Sequence, residues 1–216
     1  MRAVSPSPAG PGYPSLILAS QSPRRRELLS GLGWAFSIDA VDVEEEQPTR
    51  FESRQAILDW VAGMAAAKAA AVAGKYPPEG WVIGADTIVV LGCEVLHKPA
   101  DEADAVAMLS RLQGRSHTVM TGVALRQGGH GRRLERVVQT EVTFYPATEA
   151  ELAAYVAAGE SLDKAGAYAA QGRGALIIEK IEGCYFNVVG LPLATLARML
   201  REVGHEFGPP GSENLA

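Results

Sequence analysis

An α/β fold built on a mixed β-sheet is what the sequence predicts, and three observations carry that expectation. Short apolar runs alternate with helix-length segments, so helices must pack against a sheet. The stretch Gly128-Gly129-His130-Gly131 separates two β-rich segments and reads as an antiparallel hairpin, which a purely parallel sheet lacks. At 216 residues and 47% hydrophobic, with no internal repeat, the chain has enough apolar material for one shared core.

The elements follow in order. Leu16 to Ala19 is a short buried strand, and Ser20-Gln21-Ser22 leads into a helix from Pro23 to about Leu32. Ser22 stands at the N-cap, Pro23 at the first helical position and Gly33 just past the end, a consistent set of start and stop signals. The Ala-rich stretch from Glu52 to Val72 is helical by propensity. Trp81 to Ala85 is a second buried strand ending at Asp86, with Thr87 to Leu91 carrying the β pattern onward. Asp101 to Leu112 is a helix, His117 to Leu125 and Arg133 to Phe144 are the hairpin arms, and Glu149 to Ala157 is helical. Ala175 to Lys180 is a strand, and a helix from Pro192 to Val203 closes the body. Residues 1–14 and 205–216, rich in Pro, Gly and polar residues, are expected to be flexible tails on a single domain spanning 15–204.

Composition narrows the function. Twenty Lys plus Arg against 25 Asp plus Glu give a net charge of -5, which excludes the broad basic face that a nucleic-acid polymer requires. Any anion site must be local. Cys93 and Cys184 are the two cysteines, without CxxC spacing, so neither a disulfide framework nor a zinc site is expected. Uninterrupted apolar runs fall short of the roughly 20 residues of a membrane span. No signal peptide is legible either, and a cytoplasmic protein without a membrane partner is expected.

Three groups of residues carry candidate chemistry. Ser20-Gln21-Ser22-Pro23-Arg24-Arg25-Arg26 sets hydroxyls and three guanidiniums at the positive end of a helix, where free amides and the helix dipole favour a bound phosphate. Read locally, the same run also fits a solvated basic first turn. Asp86 ends an apolar strand after the small residues Gly84 and Ala85, a natural place for a general base or a metal ligand, and equally for a turn cap. One of Glu44, Glu45 and Glu46 would join Asp86 around Mg²⁺ or Mn²⁺, unless that run is a solvated loop. Lys68, Lys98 and Lys164 supply further positive charge, although each taken alone also suits the surface.

The motifs LASQSPRRRELL, GADTIVV, EVLHKP, HTVMTGVAL, LDKAGAYAAQG and CYFNVVGLPL occur in this order between Leu16 and Leu200. Together they resemble the Maf family of nucleoside triphosphate pyrophosphatases. The resemblance implies a mixed, bent sheet with two lobes flanking a cleft, related to the inosine triphosphatases. It implies cleavage between the α and β phosphates with a divalent metal, and a homodimer. It casts Asp86 as proton acceptor, Ser22, Arg24, Lys68 and Lys98 as triphosphate clamps, and Glu45 as a second metal ligand beside Asp86.

Three positions divide the family by base, and here they are Arg25, Thr87 and Gln171, similar to the branch acting on dTTP and UTP. An amide carries both a donor and an acceptor and suits the N3–H and carbonyl edge of uracil and thymine; a Glu, found there in the branch acting on 7-methyl-GTP, suits guanine donors. Rival expectations are a pyrophosphatase for 7-methyl-GTP or for inosine and xanthosine triphosphates, and a nucleotide-binding regulator of septum formation. Two departures from the pattern stand out: Gly63 replaces a basic residue common on the second helix, and Glu141 replaces a frequent Asp.

Overall fold

A computed structural model describes residues 16–41, 43 and 47–205. The expected tails therefore lie outside the described residues, apart from His205, as does Glu45. Among the described residues, seven strands form one mixed sheet with six α-helices around it. In chain order these are β1 (Leu16–Leu18), α1 (Pro23–Gly31), β2 (Phe36–Ile38), α2 (Arg54–Ala73), β3 (Trp81–Leu91), β4 (Glu94–Leu96) and α3 (Glu102–Leu112). Then follow β5 (Ser116–Gln127), β6 (Arg133–Phe144), α4 (Glu149–Ala157), β7 (Ile178–Glu182), α5 (Tyr185–Val189) and α6 (Leu193–Glu202).

The sheet runs β2-β1-β3-β5-β6-β7, with β4 pairing a further part of β3. β1 lies parallel to both β2 and β3, because helical crossovers connect them; the other pairs are antiparallel. Side chains alternate along β3 and β5, and this sorts the core. Val82, Ala124, Ile88, Val90 and Met120 face α2, whereas Ile83, Ala85, Val123 and Leu125 face α6 and Val89 and Val119 face α3 and α4.

Both apolar faces are interrupted at one level. There Asp86 pairs with Gly122, and Thr87 pairs with Thr121. On the other side of β3, β1 pairs only as far as Ile83 and β4 begins only at Val89. The edge of β3 between them has no strand neighbour among the described residues, so both faces of the strand can be reached from one opening.

α2 is long and apolar enough to cross a membrane by length and composition, but Ile57, Val61, Ala65, Ala69 and Val72 are buried against the sheet. It is a core helix. Ser53 caps it by accepting a hydrogen bond from the Ala56 amide. Its approach to the sheet is unusually close: a Cβ at Gly84 would sit 2.1 Å from the Ala65 carbonyl oxygen, and one at Gly122 would sit 2.3 Å from that of Val61.

β7 begins three residues later than the sequence pattern suggests. Gly172 to Leu176 wind instead into a 3-10 turn, held by the Glu160 carboxylate accepting from the Arg173 amide at 2.9 Å. β2, β4 and α5 are too short to give a periodic signal.

Two predictions follow from this packing. Gly122→Ala must push α2 off the sheet and should cost roughly 3 kcal/mol, whereas Gly63→Ala, whose Cβ meets nothing within 4 Å, should stabilise by about 0.5–1 kcal/mol. Denaturant unfolding of both variants checks the opposite signs. The second concerns His117, which is buried between Phe144 and Tyr168 and pairs through Nε2 with the Tyr168 hydroxyl at 2.7 Å. Burial pushes its imidazole down to about 4. Between pH 6.5 and 4 only the unfolded chain gains that proton, so stability should fall with pH by up to roughly 3 kcal/mol in that window. Above pH 6.5 neither state is protonated and the contribution is constant; His117→Phe should flatten the slope.

Candidate active site

The gap at the edge of β3 opens into a cavity of about 590 Å³, within the range of small-molecule sites. Its lining includes Ser22, Arg24, Arg25, Lys68, Asp86, Thr87, Lys98 and Gln171. The site residues that the family resemblance implies, Glu45 apart, therefore meet in one place, from α1 and its N-cap, α2, β3, the segment after β4 and the loop before β7, while Arg26 of the basic run is exposed and off the cavity wall.

α1 supplies the cationic wall. Ser22 occupies the N-cap position but its hydroxyl makes no capping bond; Ser20 Oγ accepts from the Ser22 amide instead, at 3.3 Å. Pro23 at the first position has no amide to satisfy, so the turn keeps its geometry without a side-chain cap. Arg25 reaches inward. Its Nε donates to the Gly190 carbonyl at 2.8 Å, Nη1 to Ser20 Oγ at 3.0 Å and Nη2 to Thr87 Oγ1 at 3.0 Å. All three acceptors are neutral, so geometry is fixed while charge remains available. Burial draws this guanidinium below its ordinary value, Asp86 raises it and Arg24 lowers it again.

Among the described residues, all but one of the remaining charges named in the lining pair off. Asp86 on β3 accepts from Lys68 Nζ on α2, both partly buried. That contact depends on the glycines that let α2 sit so low, and on Trp60, Met64 and Lys68 sharing one helical face toward the cavity. Arg24 Nη1 donates to Asp163 Oδ2 at 3.0 Å, and Lys164 Nζ donates to the same carboxylate. Lys98 is exposed, without an ion pair among the described residues. Gln171 is exposed at the rim.

Asp163 was not singled out from the sequence, and Lys164 was one of three lysines equally suited to the surface. Lys164 is only 14% exposed, against 61% for Asp163, and the LDK opening of the LDKAGAYAAQG motif was the signal available. Of the departures, Gly63 is exposed and off the cavity wall, and Glu141 is exposed on β6 opposite Glu182.

Among the described residues, Arg24, Arg25, Lys68, Lys98 and Lys164 stand against Asp86 and Asp163, five cations to two carboxylates in the lining, in a chain whose net charge is -5. Such a cavity binds a compact polyanion. A model of the family described as Maf-like protein matches residues 15–203. The chain belongs to the Maf family.

Curated relatives agree along nearly their whole length. The chain is 48% identical over 192 residues to the dTTP/UTP pyrophosphatase of Desulforamulus reducens, covering 89% of this chain and 98% of that one. It is 48% identical over 190 residues to the enzyme of the same name from Pelotomaculum thermopropionicum, covering 88% and 97%. Against the Myxococcus xanthus dTTP/UTP pyrophosphatase it is 48% identical over 189 residues, covering 88% and 92%.

Within this Maf fold, Asp163 bridges two cations at the rim, whereas Asp86 lies deeper and is paired, among the described residues, with Lys68 alone. Asp86→Asn preserves shape but cannot accept a proton and weakens the bond from Lys68. It should fold normally and lose at least about 100-fold in kcat, as measured by diphosphate release.

Proposed function

We infer that this Maf-family chain is a nucleoside triphosphate pyrophosphatase that hydrolyses dTTP and UTP to the nucleoside monophosphate and diphosphate. The observation that carries this reading is the near-half identity, end to end, with relatives named for that activity. A cationic cavity in an acidic chain supports it independently.

The chemistry follows from the residues. Asp86 takes a proton from water as the oxygen attacks the α-phosphorus, and the bond to the bridging oxygen breaks, releasing diphosphate. Lys68 orients that carboxylate through their shared hydrogen bond. Ser22, Arg24, Lys68 and Lys98 clamp the triphosphate, where fixed charge counters the negative charge growing on the leaving oxygen. Modified pyrimidine triphosphates present the same base edge and fall within the same reading.

The donor set suits a hard divalent cation. One or two carboxylates plus phosphate oxygens is how Mg²⁺ is commonly held. Asp86, with Glu45 as the family resemblance implies, would hold Mg²⁺ or Mn²⁺. Bound there, the ion would neutralise phosphate charge. The reading extends to two lobes formed by the apolar ends of a bent sheet, to a cytoplasmic location and to a homodimer.

Arg25 and Thr87 fix one side of the base and Gln171 reads its edge from the loop opposite. A turnover panel with Mg²⁺ or Mn²⁺ tests this. UTP and dTTP should be cleaved well ahead of 7-methyl-GTP, ITP and XTP, with diphosphate as product; binding without turnover would instead indicate a regulator. In the same panel Gln171→Glu should lower kcat/KM for UTP and dTTP by roughly 10- to 100-fold, because its carboxylate faces carbonyl oxygens without a donor.

A further inference from the structure

Thr121 and Asn187 are polar, fully buried and outside the cavity lining, yet an unbroken chain of hydrogen bonds joins them to the Arg25–Thr87 pair. Donor and acceptor chemistry favours one direction along that chain. A guanidinium has no acceptor, so Arg25 Nη2 must donate to Thr87 Oγ1 at 3.0 Å. The single Thr87 proton then has two possible acceptors, Thr121 Oγ1 at 2.9 Å and the Gly190 carbonyl at 3.3 Å. The carbonyl of Gly190 already accepts from Arg25 Nε at 2.8 Å.

The buried end of the chain resolves the choice. Thr121 Oγ1 lies 3.1 Å from the Asn187 carbonyl, which can only accept and also takes the Gly190 amide at 3.1 Å; a proton is needed between two oxygens this close more than across the longer Thr87–Gly190 contact of 3.3 Å, and with the Thr121 proton there its oxygen accepts from Thr87. Asn187 cannot drift, because its Nδ2 donates to the Val119 carbonyl and to Thr140 Oγ1, each at 3.0 Å. Thr140 Oγ1 in turn donates to the Cys184 carbonyl at 3.2 Å and accepts from the Cys184 amide at 3.1 Å. The polarity runs one way, from Arg25 through Thr87 and Thr121 to the backbone of α5.

We propose that Thr121 is a positioning residue for base selection. Its hydroxyl fixes the proton of Thr87, and Thr87 so fixed holds the Arg25 guanidinium at one angle to the substrate. The proposal rests on the reading of Arg25, Thr87 and Gln171 as the base-selecting set. Thr121→Val keeps nearly the same shape in a strand but removes the acceptor for Thr87 and the donor to Asn187. Thr121→Ser keeps the hydroxyl and loses only a methyl group.

The test is kcat/KM for UTP and for GTP, with the metal present, in the full chain and in Thr121→Val, Thr121→Ser and Thr87→Val. In Thr121→Val the UTP to GTP ratio should fall about 5- to 30-fold, mostly through KM for UTP, with Thr121→Ser staying within about 3-fold of the unmodified chain. A filler role would lower stability in both variants and leave the ratio alone. If Thr121→Val does not fold, Thr121→Cys, of similar volume and with a much weaker donor, carries the same comparison. A ratio unchanged in Thr121→Val but shifted in Thr87→Val overturns the role of Thr121 alone. A ratio unchanged in both overturns the base-selecting set and the proposal with it.

Discussion

The close seating of α2 on β3 and β5 is the constraint on which the site depends. Gly84 and Gly122 leave no side chain between helix and sheet, so Ala65 and Val61 present backbone oxygens directly to the strand surface. Because helix and sheet meet backbone to backbone, the height and rotation of α2 are set by main-chain contact rather than by adaptable side chains. Lys68 then has one place to go, beside Asp86. The gap along the edge of β3, where β1 has ended and β4 has not begun, turns that pair into the wall of a cavity rather than a buried ion pair.

The charges in that cavity divide into two kinds. Arg25 is held by hydroxyls and a carbonyl, which fix its geometry without forming an ion pair. Arg24 and Lys164 share Asp163, which is well exposed, and an exposed pair of this kind contributes little to stability, about 0–1 kcal/mol. It can be rearranged by a phosphate at small cost. One cation of the cavity is therefore held at a fixed angle, and the other two are free to move.

Much of this was legible in the sequence. The strand, turn and helix around Ser22 to Arg25 carried local start and stop signals, and Asp86 stood out as a carboxylate ending an apolar strand. The family motifs supplied Gln171, which no local pattern singles out. What stayed illegible is long-range or short. β2, β4 and α5 have too few residues for periodicity, and the apolar run after Gly174 read as strand because the turn-forming bond from Arg173 to Glu160 spans 13 residues. Asp163 and Thr121 gain their meaning from partners 139 and 66 residues away, which spacing along the chain cannot reveal. The hydroxyl of Ser22 was expected to cap α1, but Ser20 turned inward and took over the local bonding.

The open edge of β3 has a consequence for the folded state itself. α1 with its cations and the segments carrying Lys98 and Lys164 come from distant parts of the chain and line the same cavity, joined there by few direct bonds such as Arg24 to Asp163. A nucleotide spanning them acts as a removable cross-link, and its binding energy adds to folding stability as RT ln(1 + [L]/Kd), about 2.7 kcal/mol at a hundredfold excess over Kd. The abundance of the protein in a cell would thereby follow the size of the nucleotide pool on which it acts, with the substrate serving as part of the scaffold.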